Sequence, residues 1–248
     1  MHRFGLLLLL SALHLSTSTL AACDDPPAAG VNWSGCDKRE LKLKSADLRG
    51  ALLTRTDLTG ADLSGSRLSG ADLNFATLNR ANLSRSRLDD ARFLSTEMAG
   101  ADLSQALMDR ARLDRANLAD AILDGARLHR ASFYQANLEN ASLIEADLQE
   151  ADLGQAQLAG AHLERARLFK ASLKEAVLEN AILVESNLEK ANLESAKASF
   201  ADFRQANLAR ASLVGAELFQ TRFEGANLGS ATWADHSRCH FDAVGSCR

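Results

Sequence analysis

The 248-residue sequence predicts an all-β solenoid, a square coil built from five-residue sides and about ten coils long. Two observations carry this. Counting from Leu43 to Trp233 in steps of five gives 39 central positions, of which 31 are Leu; the others are Phe93, Met98, Met108, Phe133, Ala198, Phe203, Phe223 and Trp233. The position two before each centre is Ala in 32 of the 39, and no insertion or deletion interrupts the beat.

A composition rich in Ala, Leu, Glu and Arg favours helix, but the period excludes it. Five residues advance a helix by roughly 500°, so successive centres would be offset by ~140° and no apolar stripe would survive. A continuous strand fails too, because centres five apart alternate between its faces. A chain that turns a corner every five residues can point Leu inward on every side. Four sides close a coil of twenty residues, and coils then stack about 4.8 Å apart, like strands. Ala must be small because it also turns inward, near the corner. The remaining three residues of each unit face water, which accounts for their Asp, Asn, Ser, Arg, Glu, Gln and Gly. Burial of the central side chains, at roughly 25 cal/mol per Å², is the main stabilising contribution, and it builds up coil by coil.

The repeated Ala-(Asp/Asn)-Leu-x-x unit, as in Ala101-Asp102-Leu103-Ser104-Gln105 and Ala206-Asn207-Leu208-Ala209-Arg210, resembles the pentapeptide-repeat proteins over roughly four-fifths of the chain. The resemblance implies a right-handed quadrilateral β-helix. It implies no catalytic motif and no cofactor.

The elements follow in order. Met1 to about Ala22 reads as a signal peptide: a basic start at His2 and Arg3, the apolar run Leu6 to Leu10, and small residues at Ala21 and Ala22. It is too short for a membrane span. Residues 23–40 form a lead-in and N-terminal cap, with Pro26 and Pro27 ahead of Trp33, which already stands in phase with the centres and is expected to plug the open end. Residues 41–233 are the repeat, and 234–248 a short C-terminal cap. The four cysteines lie as two close pairs flanking the repeat, so an oxidising compartment favours disulfides Cys23–Cys36 and Cys239–Cys247. Leu20-Ala21-Ala22-Cys23 also resembles a lipobox, in which Cys23 would be lipidated and one thiol stranded; both readings stand at this point. Closed ends would discourage edge-to-edge pairing and suggest a monomer.

No active site is expected. Ser, Asp and His are scattered along solvent-facing columns, the interior is filled with Leu, and no Walker or HExxH pattern occurs. His129 and His162 fall at outward positions. His236, Cys239, His240 and Cys247 match no standard zinc spacing, so no metal or cofactor is expected.

The outside is the informative surface, since residues twenty apart share a face. The face centred on Leu48, Leu68, Leu88 and their successors carries ten bases (Arg49, Arg67, Arg87, Arg110, Arg127, Arg130, Arg167, Lys170, Lys190, Arg210) against seven acids (Asp47, Asp89, Asp90, Asp109, Asp147, Glu150, Glu189), a net of +3. The opposite face has six acids against Arg80 and Lys197, a net of −4. Mixed charge of this kind keeps a rod soluble. Within it Arg67, Arg87, Arg110, Arg127, Arg130, Arg167 and Lys170 form a candidate interaction stripe for a protein, an acidic glycan or a lipid headgroup. Outward apolar residues, among them Phe75, Leu94, Tyr134, Phe200 and Phe219, do not form a continuous patch. Phe200 is expected to fold inward and fill the space left by Ala198.

Two function classes follow. The resemblance points to DNA-mimicking binders of type II topoisomerases, the quinolone-protecting members of the family. Such mimicry needs a dense acidic surface, which a net of −4 over one face does not supply, and export would separate the protein from DNA. The preferred expectation is a non-enzymatic, exported scaffold or binding module of the bacterial envelope, periplasmic or secreted, with no nucleic acid as partner and with membrane contact only through a lipid on Cys23.

Overall fold

The computed structural model describes residues 21–247. Of the expected signal peptide, only Ala21 and Ala22 fall inside the described residues. From Asn32↔Leu52 to Ser212↔Thr232, every fifth residue makes a parallel bridge to the residue twenty further on. The twenty-residue coil is therefore real, and four columns of bridges run along the axis. The sides are shorter than strands, however. Among the described residues there is no extended strand, only isolated bridges. The cause is the corner: a chain that turns every five residues leaves one extended residue between two inward ones.

One unit shows how the backbone is satisfied. In Ala136-Asn137-Leu138-Glu139-Asn140, Leu138 N–H donates to Gln157 O (2.7 Å) and Asn140 N–H to Ala159 O (3.0 Å), both one coil ahead. Asn137 N–H donates to Ala116 O, one coil behind (2.9 Å). The Ala136 N–H donates to Phe133 O across the preceding corner (2.9 Å). Only the Glu139 N–H lacks a backbone partner, and the Asn137 side-chain carbonyl accepts it (3.0 Å). All five N–H groups are paired, as backbone groups in a packed structure must be. The Asp/Asn preference thus has a specific origin. That side chain folds over its own corner as an Asx turn, and the same bond recurs at Asp57–Thr59, Asn82–Ser84, Asp152–Gly154 and Asn227–Gly229. Where Asn74, Asn79 or Asp124 occupies the corner itself, it accepts from the corner N–H of the next coil instead.

Each corner is closed by a bond such as Ala141 N–H to Leu138 O (3.0 Å), and its second residue is left-handed. That is the geometry of a type II turn. Most of these residues are not glycine; Arg85, Glu145 and Lys170 sit at φ 56, 59 and 58. The stacked bonds on both sides of the corner enforce a conformation that an isolated chain would avoid.

The core is one column of central side chains flanked by Ala, nearly all without exposure from Leu48 to Leu213. Six of the residues that replace Ala are also small but carry a hydroxyl. Thr56, Thr96 and Thr221 donate to the carbonyls of Trp33, Leu73 and Ala198 in the coil behind, and Ser86 and Ser186 to Leu83 and Leu183 across their corners. Ser66 alone of this set leaves its buried hydroxyl without a partner.

Phe200 does not fill the space at Ala198. It occupies a left-handed corner at φ 63, which directs its side chain outward, and it is 48% exposed, packed edge-to-face on Phe219 at 5.5 Å. Ala198 is nevertheless wholly buried. The next centre of the same coil is Phe203, also wholly buried and stacked on Phe223 at 5.4 Å, so a larger ring stands beside the smaller side chain.

Candidate interaction surface

The two ends and four faces are what the molecule presents. At the N-terminal end, Cys23 and Cys36 are joined in a disulfide with Cα atoms 5.5 Å apart. The segment they close lies across Trp33, which is fully buried. The Trp33 indole N–H donates to Asp25 O (3.1 Å), and the Lys38 ammonium sits 4.2 Å above the ring while donating to the Cys23 carbonyl. The Cys23 sulfur is thus engaged, and a sulfur in a disulfide has no thiol with which to form a lipid thioether.

At the other end the Cys239–Cys247 disulfide has Cα atoms 4.6 Å apart. Its segment turns back and pairs antiparallel with the last coil, at Asn227↔Val244 and Thr232↔Arg238. These bonds cover two sides of the square. On the other two, the N–H groups of Leu218, Gln220, Phe223 and Gly225, whose counterparts one coil earlier donate onward, have no acceptor among the described residues. Trp233 rests against Phe223 at 5.2 Å and stays half-buried, beside a recess of about 400 Å³ that reaches Ser237 and Cys247. His240 pairs with Asp242, and because Cys239 and Cys247 are bonded to each other their sulfurs are not available to a metal.

The basic stripe is largely paired within its own face. Arg110 grips Asp90 with two bonds of 2.8 and 2.7 Å, Arg127 reaches Asp109 (2.9 Å) and Asp89 (3.5 Å), and Arg130 meets Glu150 (2.7 Å). Arg167 lies 3.3 Å and Arg67 3.9 Å from Asp147 and Asp47. Lys170 and Lys190 stand over the Phe169 ring at 5.3 and 5.0 Å. Of the seven stripe residues, Arg87 has no side-chain partner among those described. The pairing fixes acid as well as base: the Arg110 guanidinium holds Asp90, and that of Arg130 holds Glu150, below the usual carboxylate range. At these exposures each pair is worth little to stability, but each reduces the charge the stripe can offer. The sequence count of charges did not reveal this, because most partners lie eighteen to twenty positions apart, and Asp89 stands thirty-eight before Arg127.

Comparison with known proteins agrees with the geometry. The family profile described as pentapeptide repeats matches in 8 copies, over residues 39–74, 66–105, 111–149, 146–183, 171–208, 186–225 and 199–232. Among solved structures the chain is similar to HetL, a pentapeptide-repeat protein involved in heterocyst differentiation regulation from the cyanobacterium Nostoc sp. strain PCC 7120. The two are 32% identical over 81% of this chain and 94% of that one, with a TM-score of 0.37. A pentapeptide-repeat protein of the Arabidopsis thaliana thylakoid lumen is also 32% identical, over 40% of this chain and 65% of that one, with a TM-score of 0.31. QnrB1, a plasmid-mediated fluoroquinolone resistance protein, is 17% identical over 64% of this chain and 84% of that one, with a TM-score of 0.47. No curated protein matches.

Proposed function

The chain belongs to the pentapeptide-repeat family, and from that premise we propose that it acts as an exported, non-enzymatic scaffold and binding module of the bacterial envelope. Proteins of this family form right-handed quadrilateral β-helices and are in general structural or binding proteins. We divide the chain into a signal peptide (1–22), a lead-in and cap (23–40), a rod of about ten coils (41–233) and a terminal cap (234–248).

The observation that carries the reading is the pair of disulfides. They engage all four cysteines of the sequence, one pair at each end of the rod. Such bonds persist in oxidising compartments. The filled core supports the non-enzymatic part, since centres from Leu48 to Leu213 leave no interior in which a substrate could be desolvated. No helix among the described residues is long and apolar enough to cross a membrane.

The test is the intact mass of the protein from a cell-envelope fraction, alkylated with and without prior reduction. We expect a mass beginning near Cys23, with four alkyl groups added only after reduction. A diacylglycerol increment on Cys23 would replace the soluble rod with a tethered one. Recovery from the cytoplasm with four free thiols would overturn export.

A further inference from the structure

We propose that the face around Tyr134 is a binding site for a linear, uncharged β-1,4-linked polysaccharide. This deepens the scaffold reading and rests on it, since such a ligand lies outside the cytoplasm in the envelope context assigned above.

Tyr134 is the sole tyrosine of the chain and is 37% exposed, at an outward position on the face centred on Phe133. One coil ahead, the equivalent position is Gly154. A Cβ there would stand 3.2 Å from Tyr134 Cδ2 and 3.0 Å from Asp152 Oδ1. The missing side chain lets the ring lie down on the neighbouring backbone, which explains why Gly154 itself is buried. A ring held against the rod on one side turns its other face to solvent. Exposed aromatic faces of this kind stack against the C–H groups of a pyranose ring.

A shallow cleft opens on each side of the ring. One, of about 460 Å³, is lined by Leu94, Arg112, Asp114 and Ser132; the other, of about 310 Å³, by Ser172, Lys174 and Glu175. Tyr134 and Asp152 border both. Together they cross the coils that carry residues 112 to 175. A β-1,4-linked pyranose chain is extended and advances by nearly the coil spacing of about 4.8 Å per ring, so successive sugars would meet successive coils.

Alongside runs a ladder of side chains. Arg115 Nε donates to Gln135 Oε1 (3.2 Å), Gln135 Nε2 to Gln155 Oε1 (2.7 Å), and Gln155 Nε2 to Glu175 Oε2 (2.8 Å). The Tyr134 hydroxyl donates to the same Gln155 oxygen (3.0 Å), which ties the ring to the ladder. Each amide nitrogen keeps a second hydrogen, so a row of oriented donors remains for sugar hydroxyls. Because the amides already hold one another, little side-chain order is lost on binding. Across both clefts and the ladder, Arg112, Arg115 and Lys174 balance Asp114, Asp152 and Glu175, so no net charge favours an acidic or basic ligand.

The test uses the full mature chain with its tyrosine ring carbon-13 labelled, which gives a single ring signature to follow. Chitohexaose and cellohexaose are titrated to millimolar concentration. We expect at least one of them to shift the Tyr134 signal saturably. Read by isothermal titration calorimetry, which does not need the labelled ring, Tyr134→Phe should keep affinity within about threefold and Tyr134→Ala should lose about tenfold or more. Gly154→Leu, which lifts the ring from the rod, should lose a similar factor. No shift with either sugar, or binding that survives both Tyr134→Ala and Gly154→Leu, would overturn the assignment. A protein that carries both disulfides but ignores the sugars would sink this inference and leave the exported scaffold standing.

Discussion

The two ends of the rod solve one problem differently. Each end coil exposes backbone groups that have no further coil to meet. At the N-terminal end a short strap pairs with the first coil at Asn32 and buries Trp33 completely, while the N–H groups of Asp37, Lys42 and Asp47, on sides rich in charge, have no backbone acceptor among the described residues. At the C-terminal end a returning segment covers two sides, but those left open carry Leu218, the 65% exposed Phe219 and Phe223. Charge flanking an open edge opposes pairing with another chain, and apolar flanks invite it. The first end is sealed by a plug and guarded by charge. The second is sealed only in part.

The largest expected effect tests the plugs. Trp33→Ala removes a fully buried ring and should cost about 4 kcal/mol, whereas Trp233→Ala, at a half-buried ring, should cost roughly half that. Urea unfolding of the two variants checks the order, and equal losses would break the contrast. The disulfides come next. Cys23→Ser with Cys36→Ser opens a separation of 13 residues, and Cys239→Ser with Cys247→Ser one of 8, so each should cost about 3 kcal/mol with the longer loop slightly ahead. Melting of each variant pair, with the other bridge intact, measures this.

The smallest effect is with pH. Hydrogen bonds from Arg39 and Arg49 lower Asp37 and Asp47 in the first coil to about 2. Because the folded values lie below the unfolded ones, their contribution is fully present above about pH 4 and is lost as pH falls toward 2. Both acids are exposed, so the loss should be slight. It should shrink further in Arg39→Gln with Arg49→Gln, as read from melting temperatures at pH 6 and pH 2.5.

How much of this the sequence showed depends on whether a feature repeats. The centres, the inward Ala, the phase of Trp33 and the two cysteine pairs could all be read by counting, because each obeys the five-residue beat or flanks it. The role of Asn137 could not, since which N–H lacks a partner is known only once the coil register fixes all the others. Phe200 misled for a related reason. Its place two after a small centre suggested filling, but the left-handed corner decides its direction. Arg110 and Arg130 looked available until Asp90 and Glu150, one coil behind and one ahead, were seen to hold them. In the Tyr134 face, the column was legible as residues twenty apart, and counting alone found no continuous apolar patch there. The way the ring lies on Gly154 depends on three dimensions.

The unbroken beat also dictates how such a gene could change length. Loss of twenty codons would delete one whole coil and leave every face aligned. Loss of five would keep each Leu inside, yet turn everything beyond the cut by a quarter turn relative to everything before it. Between residues 115 and 175 that twist would scatter the Gln135–Gln155 row over two faces while the hydrophobic interior barely registered the event. Surface patterns spanning several coils therefore tolerate heritable shortening only in steps of twenty, although folding alone would accept steps of five.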